Sequence, residues 1–144
     1  MKPKEGRLQS GEHIMTRFIQ NKISDITVRI AKFFDDYGEI ELLSSQDLRE
    51  MDINGLNLEV NNIIGRDMDV NIKIYDRGEM ENVEDLRIPE GTQNVRIVSI
   101  GDFDSRPCGD PHVKNTSEIG KFIVDKIKRV GKDRYRFTFH VEDK

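Results

Sequence analysis

The stretch Arg106-Pro107-Cys108-Gly109-Asp110-Pro111-His112-Val113-Lys114-Asn115-Thr116-Ser117-Glu118-Ile119-Gly120 holds the chain's single cysteine and one of its three histidines. Its prolines, glycines and Asp/Asn residues favour turns over regular structure. Residues 101–116 therefore read as a loop-rich segment. Cys108 and His112 stand in the spacing Cys-x-x-x-His. A thiolate and an imidazole form a good zinc pair, and a gap of four suits a loop or one helical turn. Taken alone, such a cysteine is equally a small core hydrophobe. Just upstream, Val95 to Ile100 is an apolar strand. Downstream, Lys121 to Val130 and Arg134 to Val141 read as an antiparallel pair turning at Gly131-Lys132.

Further out, Ile14, Phe18, Ile19, Ile23, Ile26, Ile30, Phe33 and Phe34 recur at three- and four-residue steps. This period predicts one helix over residues 11–34, roughly 36 Å long, with Ser10 as its N-cap. Asp36-Tyr37-Gly38 stops it, and a short strand follows at Glu39 to Leu43. A second helix is expected from Ser45-Gln46-Asp47-Leu48 through Leu56, Val60 and Ile63 to Gly65. Gly55 is its weak point. Asp69 to Tyr75 alternates as a strand with Val70, Ile72 and Ile74 on one face, and residues 76–91 read as an acidic loop. Two helices and about five strands that do not alternate strictly predict an α+β fold, a long N-terminal helix and a second helix on a mainly antiparallel sheet.

The chain has 144 residues, enough for one domain spanning 1–144. No apolar run approaches the ~18 residues of a membrane span. One cysteine rules out a disulfide framework within the chain, which points to a cytoplasmic protein. The net charge of −4 argues against nucleic acid, but the charge is uneven. Between Lys114 and Arg136 eight Lys/Arg face three acids. That stretch is either a basic face for phosphates or a solvated strand pair. No P-loop, G-x-G-x-x-G or G-x-S-x-G is present, and aminoacylation motifs are lacking, so the chain is not read as a ligase.

Residues 106–120 resemble the C-G-G-T-H-V-x-x-T-G-E-I-G stretch of alanyl-tRNA synthetase editing domains. Pro111 before His112 resembles the C-x-G-P-H-V-x-x-T stretch of threonyl-tRNA synthetases. Val95-Arg96-Ile97-Val98-Ser99-Ile100-Gly101-Asp102-Phe103 is similar to the strand leading into that motif. Gln9-Ser10-Gly11-Glu12-His13 stands where the family carries H-x-x-x-H at the opening of a long helix. The resemblance covers nearly the whole chain, with residues 35–88 matching only in outline. The chain looks like the small, free-standing members of the family, which lack the extra N-terminal barrel of the larger ones.

The resemblance implies a zinc-dependent hydrolase of mischarged aminoacyl-tRNA. It places His13, Cys108 and His112 at three of the four metal-ligand positions, where they are also the catalytic set. Gln9 takes the fourth position, and a neutral amide is a poorer zinc ligand than imidazole. Either zinc stays on three ligands with an open position, or the metal is lost. Gln9, Ser10 and Asp110 are candidates for contact with the substrate, Ser10 at a family position associated with sensing a side-chain hydroxyl. Glu12 is a weaker candidate for a general base, since acids at a helix start are mostly dipole partners. Ser117 stands in place of a family glycine. Lys114, Lys121 and Arg134 are candidates for the phosphates of the tRNA acceptor end. The implied substrate is seryl-tRNA(Ala), then glycyl-tRNA(Ala), with seryl-tRNA(Thr) as an alternative. Gln9 favours two other readings: a metal-free hydrolase, or a non-catalytic relative that binds tRNA or a synthetase.

Overall fold

A computed structural model describes residues 4–76 and 94–143. Its element order is α1 (Glu5–Lys22), β1 (Thr27–Phe33), β2 (Tyr37–Leu43), α2 (Ile53–Ile64), β3 (Val70–Asp76), β4 (Asn94–Ile100), β5 (Asp104–Pro107), β6 (Lys121–Gly131) and β7 (Arg134–Glu142). Short 3-10 turns occupy Leu48–Glu50 and Thr116–Ile119. The strands form two antiparallel sheets, β1-β2-β7-β6 and β3-β4-β5. The α+β expectation holds, with two sheets in place of one.

Strand β7 alternates along its length, and β6 does so as far as Val124, where a register shift interrupts it. Phe122 and Val124 from one, and Tyr135, Phe137, Phe139 and Val141 from the other, point into the core. Leu8, Ile14, Met15 and Ile19 of α1 join the same core, as do Leu56, Val60, Ile63 and Ile64 of α2. Val98 and Ile100 of β4 connect the small sheet to it. Removing this apolar surface from water supplies the main driving force for folding. On β3 Val70 is buried, while Ile72 and Ile74 are exposed. The expected shared apolar face is therefore only partly used.

The expected helix over 11–34 is corrected at both ends. It starts six residues earlier, at Glu5, after Lys4, which provides no side-chain cap. Ser10 is thus a buried residue inside the helix and does not cap it. The helix stops at Lys22, and β1 takes the next apolar residues. Within β1 a bulge lies between Val28 and Ile30, where the pairing with β2 shifts by one residue. Inward positions then run 26, 28, 31 and 33, filled by Ile26, Val28, Ala31 and Phe33. The helical steps through Ile26, Ile30 and Phe33 are coincidental, because Ile30 lies on the exposed side of β1. The β-branched run Ile26-Thr27-Val28 favours the strand.

The second helix is also split. Asp47 caps the 3-10 turn by accepting from the Arg49 backbone N–H at 3.0 Å, and Asp52 caps α2 by accepting from Asn54 at 3.1 Å. Gly65 follows α2 with an ordinary φ of −68°, without the left-handed cap that glycine often supplies. Along α2, Asn57 and Asn61 act as a substitute strand. Asn57 accepts from Val124 N at 2.7 Å and donates to Val124 O at 3.3 Å. Asn61 does the same for Phe122, at 2.9 and 2.8 Å. Two side chains thereby cover backbone groups on the edge of β6, which otherwise invite foreign strands.

The expected loop over 101–116 contains a strand, β5. Gly101 makes it possible. Its φ of +50° suits a glycine, and the turn brings Phe103 N to within 2.9 Å of Ile100 O. The chain then folds back on β4, pairing Ile100 with Asp104 and Val98 with Arg106. The acidic loop expected over 76–91 lies almost wholly outside the described residues. Among the described residues no helix is long and apolar enough to cross a membrane.

Candidate metal centre

Strand β5 delivers Cys108 to the side of α1, and Arg96 of β4 fixes the loop that follows. Cys108 N donates to Arg96 O at 3.0 Å, while the Arg96 guanidinium donates to the carbonyls of Cys108 and Asp110 at 2.9 and 2.7 Å. The loop ends in the 3-10 turn, closed by a capping box in which Asn115 accepts from Ser117 N and Glu118 accepts from Asn115 N. Thr116 Oγ1 ties the turn to Ile64 O at 2.8 Å. Ser117 is not among the residues with positive φ. Serine is accommodated there without backbone strain.

Between these anchors, His13, Cys108 and His112 converge, with one ligand atom from each lying within 4.8 Å of the others. The Nε2 of His112 is 3.4 Å from Cys108 Sγ. Nitrogen and sulfur on one tetrahedral zinc would stand about 3.6 Å apart, given bond lengths of ~2.05 and ~2.3 Å. The donor set and this spacing fit a borderline-soft metal ion. The rings of His13 and His112 meet edge to face, with centroids 4.4 Å apart.

Burial, then the charge of Arg106 and then His112, hold the His13 pKa well below its usual value. Burial, with Arg96 and Arg106, lowers His112 to about 4. Both imidazoles are therefore neutral near pH 7 and keep a lone pair to donate. Burial pushes the Cys108 thiol up, so without a metal it stays protonated. Its Sγ is 3.7 Å from an Asp110 carboxylate oxygen.

Of the other residues singled out in the sequence, Ser10 is fully buried. Its Oγ lies 2.9 Å from His112 Nδ1 and accepts from Val113 N at 3.2 Å. Gln9 is buried one helical turn before His13, on the same side of α1. Glu12 is buried as well and accepts from Arg106 at 2.6 Å and from Thr16 at 2.9 Å. Both bonds fall on Oε2 and tie the carboxylate to Arg106 and Thr16. Lys114 and Lys121 are exposed on either side of the 3-10 turn. Arg134 is not near them. It sits at the far end of β6, roughly 33 Å along the strand, where it packs over Gly131. Arg136 is paired with Glu39 and Glu41 at 3.4 and 3.2 Å. The basic stretch is thus spread over the sheet and partly neutralised.

Asp104, Arg106, Arg17 and Arg96 escaped sequence reasoning. Arg17 donates to Asp104 at 2.7 Å, and the other Asp104 oxygen lies 3.6 Å from His13 Nδ1. The signal was Asp104-x-Arg106, two residues on one side of a strand, which reading 101–116 as a loop erased.

Residues 95–138 match the threonyl and alanyl tRNA synthetase second additional domain. The alanyl-tRNA editing protein AlaX-L of Pyrococcus horikoshii is 33% identical over 135 residues, covering 92% of this chain and 33% of that protein. The AlaX-M editing protein of Saccharolobus solfataricus is 35% identical over 89 residues, covering 58% of this chain and 38% of the relative. An alanine–tRNA ligase of Nitrosopumilus maritimus is 33% identical over 109 residues, 73% of this chain and 12% of the ligase. The chain thus spans about a third of the first relative's length and less of the ligase. With the motif around Cys108 and His112 inside the matched region, the chain belongs to the alanyl-tRNA synthetase editing-domain family, built on the second additional domain of threonyl- and alanyl-tRNA synthetases.

Proposed function

We propose that the protein hydrolyses the ester of mischarged aminoacyl-tRNA in trans, with seryl-tRNA(Ala) as first substrate and glycyl-tRNA(Ala) as second. The convergence of His13, Cys108 and His112 carries this reading. These three would hold zinc, and the metal when bound supplies Lewis acidity toward an ester carbonyl or an attacking water. Hydrolysis of this kind answers a known limit of synthetases. A pocket for alanine cannot exclude glycine by size and rejects the serine hydroxyl only modestly.

The chain's own residues then have separable tasks. His13 and His112 stay neutral and offer lone pairs. Cys108 gives up its thiol proton on ligation, and the Asp110 carboxylate at 3.7 Å is a ready acceptor for it. Gln9, on the His13 side of α1, presents an amide to the substrate. Ser10 holds His112. Lys114 and Lys121, exposed beside the site, contact acceptor-end phosphates. The reading places the protein in the cytoplasm, where charged tRNA is found.

The test is release of serine from seryl-tRNA(Ala), with alanyl-tRNA(Ala) as control, by native protein and by Cys108→Ala. Rapid release of serine alone, lost in the variant, is the expected result. The same assay with seryl-tRNA(Thr) decides the carrier. No release from either, with zinc added, sinks the catalytic reading. It would leave a relative that binds tRNA or a synthetase, with Gln9 as the position where the metal site decayed.

A further inference from the structure

The geometry points to Asp104 as the positioning residue of the metal centre: it takes the Nδ1–H of His13 and thereby turns Nε2 toward Cys108 and His112. The inference rests on the metal-centre reading for its purpose, but not for its geometry. Among the described residues, two buried side-chain polar atoms lack a hydrogen-bond partner, and they are His13 Nδ1 and Asp104 Oδ2. They face each other at 3.6 Å, with side chains only 2% and 1% exposed. Buried polar atoms seldom go unpaired, so an exception calls for an explanation. Here each atom is the complement of the other.

The proton's place follows from the chemistry of the ring. A neutral imidazole has one N–H and one lone pair. Were the lone pair on Nδ1, it would face the carboxylate's own lone pairs in a buried site. With the proton on Nδ1, donor meets acceptor, and Nε2 keeps the lone pair that a metal needs. A carboxylate behind a ligating histidine is a recurring way of fixing tautomer and ring orientation.

The fold holds Asp104 in place for this task. Its other oxygen receives Arg17 Nε at 2.7 Å, one helical turn beyond His13, so the carboxylate cannot rotate away freely. Two residues on, Arg106 reaches Glu12 at 2.6 Å and approaches Asp104 Oδ2 at 3.9 Å. The two-residue period of β5 thus sets Asp104 and Arg106 against the adjacent helix residues His13 and Glu12. His112 has a matching support in Ser10, at 2.9 Å from its Nδ1.

Two measurements on the full chain test the assignment. Nitrogen-15 NMR of the metal-free native protein near pH 7 reports the His13 tautomer. The Nδ1–H form is expected, and an Nε2–H form overturns the proposal. Zinc affinity is then measured by chelator competition for native protein and Asp104→Ala, with folding checked by circular dichroism. The variant is expected to bind about 10- to 100-fold more weakly. Unchanged affinity in a folded variant overturns the proposal. If Asp104→Ala does not fold, the native tautomer decides by itself. A native protein that takes up no zinc removes the metal-centre reading, and the tautomer still decides whether Asp104 orients His13.

Discussion

The Oγ of Ser10 lies 2.9 Å from Nδ1 of His112, joining the second turn of α1 to the loop after β5. The same oxygen accepts Val113 N–H. Ser10 is therefore committed to the protein, and its main effect is to hold the ring whose Nε2 stands 3.4 Å from Cys108 Sγ. Ser10→Ala should weaken zinc binding about tenfold. It should also cost about 1 kcal/mol of stability, because Val113 N–H loses its acceptor. Chelator competition and urea unfolding measure the two. A variant with native zinc affinity that loses only its preference for seryl- over alanyl-tRNA would show instead that Ser10 reads the substrate hydroxyl.

Asn61 holds both backbone groups of Phe122 from the neighbouring helix. Asn61→Ala removes both partners at once and leaves them at a partly buried sheet edge. A loss of about 1–3 kcal/mol is expected, read as a lower urea midpoint. Asn61→Asp should also destabilise, since a carboxylate keeps the acceptor for Phe122 N–H but loses the donor to its carbonyl. A midpoint unchanged in both variants would remove the edge-covering role of α2.

Gly11 sits in α1 against the ring of Phe122, which an added Cβ would overlap. By helix propensity alone, Gly11→Ala should stabilise by about 1 kcal/mol. Overpacking opposes this with about 1–3 kcal/mol, because Phe122 is fully buried and has little room to yield. Net destabilisation is the expected sign. A thermal midpoint above that of the native protein would show that the helix and β6 can move apart.

On the outer face of the sheet His140 lies between Asp125 at 2.7 Å and Glu142 at 3.0 Å. Burial alone would lower its pKa, but the hydrogen bonds to Glu142 and Asp125 outweigh that and raise it. The sign of the linkage follows. A raised folded pKa means the stabilisation is full below about 6.5, the ordinary histidine value, and is lost as pH climbs through the folded one. His140→Asn should therefore cost about 0.5 kcal/mol at pH 5.5, as exposed ion pairs do, and little at pH 9. Urea titrations at the two pH values check it, and an equal loss at both would show that the charge plays no part.

Residues 106–120 were enough to bring Cys108 and His112 together, since four residues cannot stray far, and their motif pointed to His13 as the third partner. Strand β7 was equally legible, because one of its faces is buried and alternation records that directly, and β6 was legible from its paired apolar start at Phe122 and Val124. The end of α1 was not. Ile26, Ile30 and Phe33 keep helical steps, yet Ile30 is exposed, and only the pairing of β1 with β2 decides which apolar residues face the core. Nor were the supports of the two histidines. Ser10 and His112 are 102 positions apart. Asp104 meets His13 only because the Gly101 turn sends β5 back along α1. Local spacing brought Cys108 and His112 together, and the resemblance added His13, which converges with them. The packing of α1 against the β5 loop alone decided which nitrogen each histidine turns toward the site, because tautomer and ring orientation depend on neighbours that no period in the sequence records.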